Sequence, residues 1–258
     1  MTGLQRTTVP VLGAAIDAIG WDAALARIGA WAAQRDSRYV CICNAHSVVT
    51  AGQDAVFGQV VAAADMATPD GAPVAWVMRK LGFASQQRIN GPDLMWRYCA
   101  QAAQRGESIY LYGSAPDTLA LLQAKLAAAY PGLVVAGAHS PPFRALSAAE
   151  DAADVARINA AGAGTVWVSL GCPKQELWMA AHRGRIHAVM IGVGAAFDYH
   201  AGTIQRAPLW MQNAGLEWFY RLVTEPRRLW RRYFVTNTLF IWGAARQLVL
   251  GRGKEPQS

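Results

Sequence analysis

The sequence predicts an α/β fold, a Rossmann-like and mainly parallel sheet with helices on both faces, followed by a helical C-terminal appendage. Three observations predict it. Short β-branched runs alternate with longer alanine-rich stretches, glycine-containing polar segments follow the runs, and aromatics interleave with arginines after about Pro208. In chain order, Trp21–Gln34 reads as a helix, Tyr39–Cys43 as a strand, and Ser47–Val61, Val74–Leu81 and Pro92–Gln104 as helices. Ser108–Tyr112 is the next strand, Pro116–Tyr130 a helix, Leu133–Ala138 a strand and Ala148–Ala160 a helix. Thr165–Leu170 and Ala188–Gly192 are strands flanking a helix at Gln175–His182. Strands that alternate with helices form βαβ units, and ligands of such sheets bind beyond the carboxyl ends of the strands. The segments at 44–46, 113–116, 171–176 and 193–198 are therefore expected to converge on one rim.

The chain divides into an α/β body at 1–208 and a basic, aromatic-rich appendage at 209–258. Of 258 residues, 53% are hydrophobic and 16% charged, against about 25% charged in an ordinary soluble domain. That leaves apolar material for a large core and for a surface that touches lipid. The formal charge is +7, which favours an anionic partner. From Ala214 onward eight basic residues face three acidic ones, so the tail carries net +5. Pro226 suits the first position of a second tail helix, and Arg228 shares a face with Arg231 and Arg232 at i+3 and i+4. Trp210, Trp218, Trp230 and Trp242 accompany those arginines. This pattern suits an interfacial helix on an anionic membrane surface rather than a nucleic-acid site.

Four cysteines form no CxxC and stand at no zinc-ligand spacing, so they read as buried thiols in a reducing compartment, with no metal expected. The start of the chain has no apolar run of signal-peptide length, and no stretch reaches the roughly 18 apolar residues of a membrane span. A cytoplasmic protein, peripheral on the inner face of the cell membrane, is the expectation.

Several residues are candidates for chemistry. Asp70 stands in Pro69-Asp70-Gly71. Turn or N-cap chemistry explains such an aspartate, and so does a general base on the active rim. Arg88, in Gln87-Arg88-Ile89-Asn90-Gly91, is either a surface charge or a fork of donors for a phosphate or substrate oxygen. Gly171-Cys172-Pro173-Lys174-Gln175-Glu176 offers backbone N–H groups to an anion at a helix start without being a P-loop. Gly192-Val193-Gly194-Ala195-Ala196-Phe197-Asp198 begins like a dinucleotide fingerprint, yet Phe197 fills the place of the third glycine. Asp198 is left to accept from a ribose or sugar hydroxyl. The five histidines read as structural, and Ser114 lacks a nucleophile elbow.

Taken in order, these segments resemble the WecG/TagA/CpsF glycosyltransferases (glycosyltransferase family 26) from about Tyr39 to Tyr233. The resemblance extends to Arg206-Ala207-Pro208 and Gly215-Leu216-Glu217-Trp218, with Arg221, Glu225-Pro226, Arg228 and Arg231 beyond. It implies an inverting transfer, independent of metal or cofactor, of a hexose from a UDP-sugar to a polyprenyl-diphosphate-linked saccharide at the membrane. Carried over position by position, Asp70 is the base, and Asn44, Arg88 and Gln175 line the pocket. Asp198 lies near the nucleoside, while Arg221, Arg228 and Arg231 face the diphosphate. Ile42 stands where many members have a threonine, and 41–46 with 71–76 look more like the exopolysaccharide branch, which includes a GumM-like β-1,4-glucosyltransferase. Glucose is favoured over N-acetylmannosamine on that ground. The competing readings are a Rossmann-type oxidoreductase and a non-catalytic membrane-associated binding protein; the oligomeric state, homo-oligomers included, stays open.

Overall fold

The computed structural model describes residues 6–251, with Arg228 and Arg232 as backbone only. A hairpin opens the chain, β1 (Thr8–Val11) antiparallel to β2 (Ala14–Asp17). Six parallel strands follow: β3 (Arg38–Cys43), β4 (Met66–Pro69), β5 (Ser108–Gly113), β6 (Val134–His139), β7 (Thr165–Ser169) and β8 (Val189–Gly192), in the order β4-β3-β8-β7-β5-β6. This is the Rossmann-like body expected. Helix α1 (Trp21–Ala33) precedes these strands, α2 (Ala45–Gln53), α3 (Ala55–Ala63), α4 (Ala72–Lys80), α5 (Gly91–Arg105), α6 (Pro116–Ala129), α7 (Ala148–Ala161) and α8 (Lys174–His182) lie between them, and α9 (Ala196–Ala201) follows the last.

A parallel sheet is buried on both faces, so its strands read as continuous apolar runs. Period-two alternation then sends neighbours to opposite cores. Tyr39, Cys41, Cys43, Tyr110, Tyr112, Val166 and Val168 pack on one side with Phe57, Val61, Val74 and Met179 of the helices. Val40, Ile42, Ile109, Leu111, Trp167 and Ile191 pack on the other with Ile28, Leu94, Leu122 and Phe197. None of the four cysteines is in a disulfide, and burial pushes the Cys41 and Cys43 thiols well up.

The structure differs from the sequence reading at several places, among them the short helix α9 after β8, which was not expected. The helix expected over 47–61 is two helices, because Asp54 leaves helical geometry and its carboxylate caps α3 through the Val56 and Phe57 N–H groups. The segment before Asp70 is a strand rather than part of a turn, with Met66–Pro69 pairing to Val40–Cys43. The N-terminal hairpin was not expected at all.

The C-terminal region forms α10 (Leu209–Asn213), α11 (Glu217–Thr224) and α12 (Pro226–Gly251), with Pro226 opening the last helix. The inner side of α12 is joined to the body. Leu229, Phe240 and Ala244 are buried, while Gln247 accepts from the Leu12 N–H (2.9 Å) and donates to the Pro10 carbonyl (2.5 Å). Its outer side leaves Trp230, Phe234, Ile241 and Trp242 exposed. Among the described residues, no helix is long and apolar enough to cross a membrane.

Gly113 shows how tightly the rim is built. It ends β5 at φ +105, and a Cβ there would run into the Ser169 carbonyl, lying 2.7 Å from its carbon. Backbone cannot retreat as a flexible side chain can. Gly113→Ala is expected to cost about 3 kcal/mol through strain and overpacking, read as a lower midpoint in urea unfolding.

Candidate active site

The carboxyl ends of β3, β4, β5, β7 and β8 open into one cleft of about 640 Å³. All four segments expected on the rim contribute to it. Helices α11 and α12 close part of the cleft, supplying Glu217, Trp218, Arg221, Tyr233 and Thr236 to its lining. An open α/β sheet thus places its ligand site where the strand ends leave room between diverging loops.

Asp70 sits at the end of β4, its N–H bonded to the Cys43 carbonyl at 2.9 Å so that the ladder to β3 fixes its backbone. The N-cap of α4 is Gly71, not Asp70. The Asp70 side chain is half-buried and lines the cleft. Burial raises its pKa from the ordinary 3.8 to about 7, reinforced by the Glu217 carboxylate and opposed by Arg88, Arg206 and a hydrogen bond from the Gly71 N–H. Desolvation disfavours the charged form and outweighs two guanidiniums. A carboxylate so poised can take a proton near neutral pH.

Arg88 also lies in the cleft, 3.4 Å from Glu217 and 3.5 Å from Gln212. Asn44 caps α2, its Oδ1 accepting from the His46 and Ser47 N–H groups at 3.0 and 3.1 Å, while the residue remains exposed to the cleft. Gln175 is buried in α8 and ties that helix to the loop after β8: Oε1 accepts from the Gly194 N–H (3.1 Å), and Nε2 donates to the neighbouring Glu176 (2.9 Å). It lines the cleft with both ends of its amide engaged. Asp198, in the first turn of α9, lines the same cleft and accepts from Thr203 Oγ1 at 3.4 Å.

The tail arginines separate. Arg221 faces the cleft, its guanidinium 5.9 Å from the Tyr199 ring centre and 3.9 Å from Glu225. Arg231 instead lines a neighbouring groove between α2 and α12, which shares His46 and Thr236 with the cleft. The Arg228 side chain lies outside the described residues. Helix α11 is amphipathic: Glu217 and Arg221, four apart, turn inward, while Phe219 and Val223, also four apart, are exposed.

Two charged residues in this cluster were not among the sequence candidates. Arg206 holds Asp93 at 2.6 Å and Asn90 at 3.2 Å, across more than a hundred residues of chain. Glu217 reaches both Arg88 and Arg206. Their signal was their place in the two late motifs, but nothing local marks either as facing Asp70. Glu176 is also new to the site: it is 1% exposed, burial raises its pKa, and Oε2 has no hydrogen-bond partner among the described residues. Among the histidines, His200 stacks on Trp96 (4.6 Å) and meets the Pro92 carbonyl, and His182 lies between Asp151 and the Trp178 carbonyl. His46 lines the cleft beside Thr236.

The arrangement is therefore a rim cleft lined by a carboxyl of elevated pKa, with the charges of Arg88 and Arg206 acting on it and Arg221 elsewhere on the lining. Such a site can accept a proton at one point while positive charge stabilises an anion at another. The model of the glycosyl transferase WecG/TagA/CpsF family matches residues 9–254 of the chain.

Proposed function

The chain belongs to the WecG/TagA/CpsF glycosyltransferase family, and from that premise we propose that it is an inverting, UDP-sugar-dependent hexosyltransferase with Asp70 as its base. The family places it among the glycosyltransferases of polysaccharide biosynthesis, with a sugar-nucleotide donor and a glycan acceptor in general. The finer reading is a polyprenyl-diphosphate-linked acceptor, met at the inner membrane face by the exposed aromatics of α11 and α12.

The observation that carries this reading is the Asp70 carboxyl, with its pKa raised to about 7, near Arg88 and Arg206 in a cleft that Arg221 also lines. Asp70 takes the proton of an acceptor hydroxyl as its oxygen attacks the anomeric carbon from the face opposite UDP. The bond from that carbon to the donor phosphate breaks, and its electron pair leaves with UDP. Arg221 and its neighbours stabilise the charge that grows on the departing diphosphate. Asn44 and Asp198 suit hydrogen bonds to hydroxyl groups of the donor. Buried Ile42 on the cleft lining replaces a polar contact with an apolar one, which favours glucose over N-acetylmannosamine.

A panel of UDP-sugars, each offered with polyprenyl-diphosphate-linked mono- and disaccharides, tests the reading through UDP release. One donor, with glucose favoured, is expected to be consumed only when the lipid-linked acceptor is present. No consumption with any pair overturns it.

A pH profile follows from the same carboxyl. Below about pH 7 the base is protonated, so kcat/KM should fall about tenfold per pH unit. Above it the rate should level off. A profile flat down to pH 5 would remove Asp70 from the proton transfer.

A further inference from the structure

Glu217 is carried on the first turn of α11, yet its carboxylate lies between two guanidiniums of the body. Oε2 is 3.4 Å from Arg88 Nη1, and Oε1 is 3.6 Å from Arg206 Nε. Charge-assisted N–H···O bonds normally close to about 2.7–2.9 Å, so both contacts are loose. Arg206 is otherwise well held, with Nη1 on Asp93 at 2.6 Å and Nη2 on Asn90 at 3.2 Å. Its Nε, although buried, has no hydrogen-bond partner among the described residues. That donor lies behind Glu217, which lines the cleft, and a buried donor without a hydrogen bond calls for an acceptor.

The two arginines are fixed from different elements. Arg88 precedes α5 and is steadied by Gln212 at 3.5 Å, whereas Arg206 follows α9 and is locked to the start of α5. Glu217 comes from the appendage and is the member of the trio on a separate helix. A carboxylate offers two oxygens and one negative charge. A phosphoryl group offers more oxygens and more charge in a tetrahedral array, and can engage Arg206 Nε and Arg88 together.

We propose that Arg88 and Arg206 form a subsite for a phosphoryl group of a diphosphate substrate, and that Glu217 is its internal occupant, displaced when the substrate enters. The proposal rests on the diphosphate-dependent transfer described above and adds a subsite and a competitor to it. Displacement couples the cleft to the appendage, because Glu217 and Arg221 share the inward side of α11. A substrate anion that evicts the carboxylate also frees the helix that brings Arg221 to the leaving group. An internal competitor lowers apparent affinity by the fraction of molecules it occupies.

Calorimetric titration of the full chain with inorganic pyrophosphate and with UDP, at fixed salt, tests this in wild type, Glu217→Gln, Glu217→Asp and Arg206→Gln. With the occupied form in roughly tenfold excess, Glu217→Gln is expected to bind pyrophosphate about tenfold more tightly. Glu217→Asp retracts the charge by one methylene and should fall between the two, which keeps the test available if the glutamine variant does not fold. Arg206→Gln should weaken pyrophosphate binding in a variant whose melting temperature shows it folded. If UDP binds wild type but the folded Glu217 variants bind pyrophosphate no more tightly, Glu217 is a brace and the proposal is overturned while the transferase reading stands. If neither UDP nor pyrophosphate binds any variant, both fail together.

Discussion

Asp70→Asn is expected to lower kcat by about 10³-fold, the contribution of a positioned general base, while UDP-sugar binding stays within a few-fold of wild type. Asparagine keeps the shape and can still meet the Gly71 N–H, but it cannot take a proton from the acceptor. The same substitution should stabilise the fold in a defined pH window. A carboxyl whose pKa rises on folding, here from 3.8 to about 7, holds its proton more tightly in the folded chain. Below about pH 4 both states are protonated and the variant and wild type should melt alike. Between about pH 4 and 7 the unfolded chain ionises first, so wild type loses stability as pH rises. Asparagine has no such penalty, and its advantage should reach a plateau above about pH 7. Melting curves at pH 4 and pH 8, run beside the turnover assay, check both halves. Loss of turnover with a lowered melting temperature at both pH values would indicate damage to the fold instead.

Arg221→Gln carries the second large effect. Its guanidinium faces the cleft from α11, and in the proposed mechanism it stabilises the charge on the departing diphosphate. Removing one such preorganised charge typically costs about 10²-fold in kcat, with a smaller change in the KM for donor because the charge develops in the transition state. Steady-state kinetics with a saturating lipid-linked acceptor separates the two constants. An unchanged kcat would take Arg221 out of the chemistry. Deleting 209–258 is a blunter test of the tail, since Leu229, Phe240 and Ala244 would leave apolar surface bare on the body.

Much of the fold could be read from local pattern. The strands β3, β5, β7 and β8 are buried on both faces, and burial on both faces writes an uninterrupted apolar run into the sequence. Strand β4 escaped notice because Met66-Ala67-Thr68-Pro69 is short, ends in proline and runs straight into Asp70-Gly71, so turn signals mask it. The β1–β2 hairpin escaped for a different reason. Its two-residue turn puts Leu12 at φ 49 and Gly13 at φ 90, whereas the usual signal for such a turn is Asn-Gly or Asp-Gly. Gln247 holds the Leu12 backbone from a helix more than two hundred residues away, which no local rule detects. The division of α2 from α3 was missed because alanines and valines continue the helical pattern through Asp54.

The candidate site shows the same boundary. Asp70, Arg88, Asn44, Gln175, Asp198 and Arg221 all reach one cleft, and each stands beside a strand end or in an ordered motif. Arg206 and Glu217 meet only through the tertiary fold, and their effect on Asp70 depends on packing α11 over the rim. Gln175 lines the cleft, and its bond to the Gly194 N–H, nineteen residues away, ties α8 to the loop after β8 in a way no local pattern shows.

The central claim, that one base activates an acceptor hydroxyl on the face opposite the leaving UDP, is tested most directly by following the anomeric carbon. UDP-hexose labelled with ¹³C at that carbon and linked in the α configuration is incubated with the polyprenyl-diphosphate-linked acceptor, and the product is extracted and read by NMR. A β-configured label in the lipid-linked saccharide is the predicted result. An α-configured product, or label released to water with none in the lipid fraction, would contradict it.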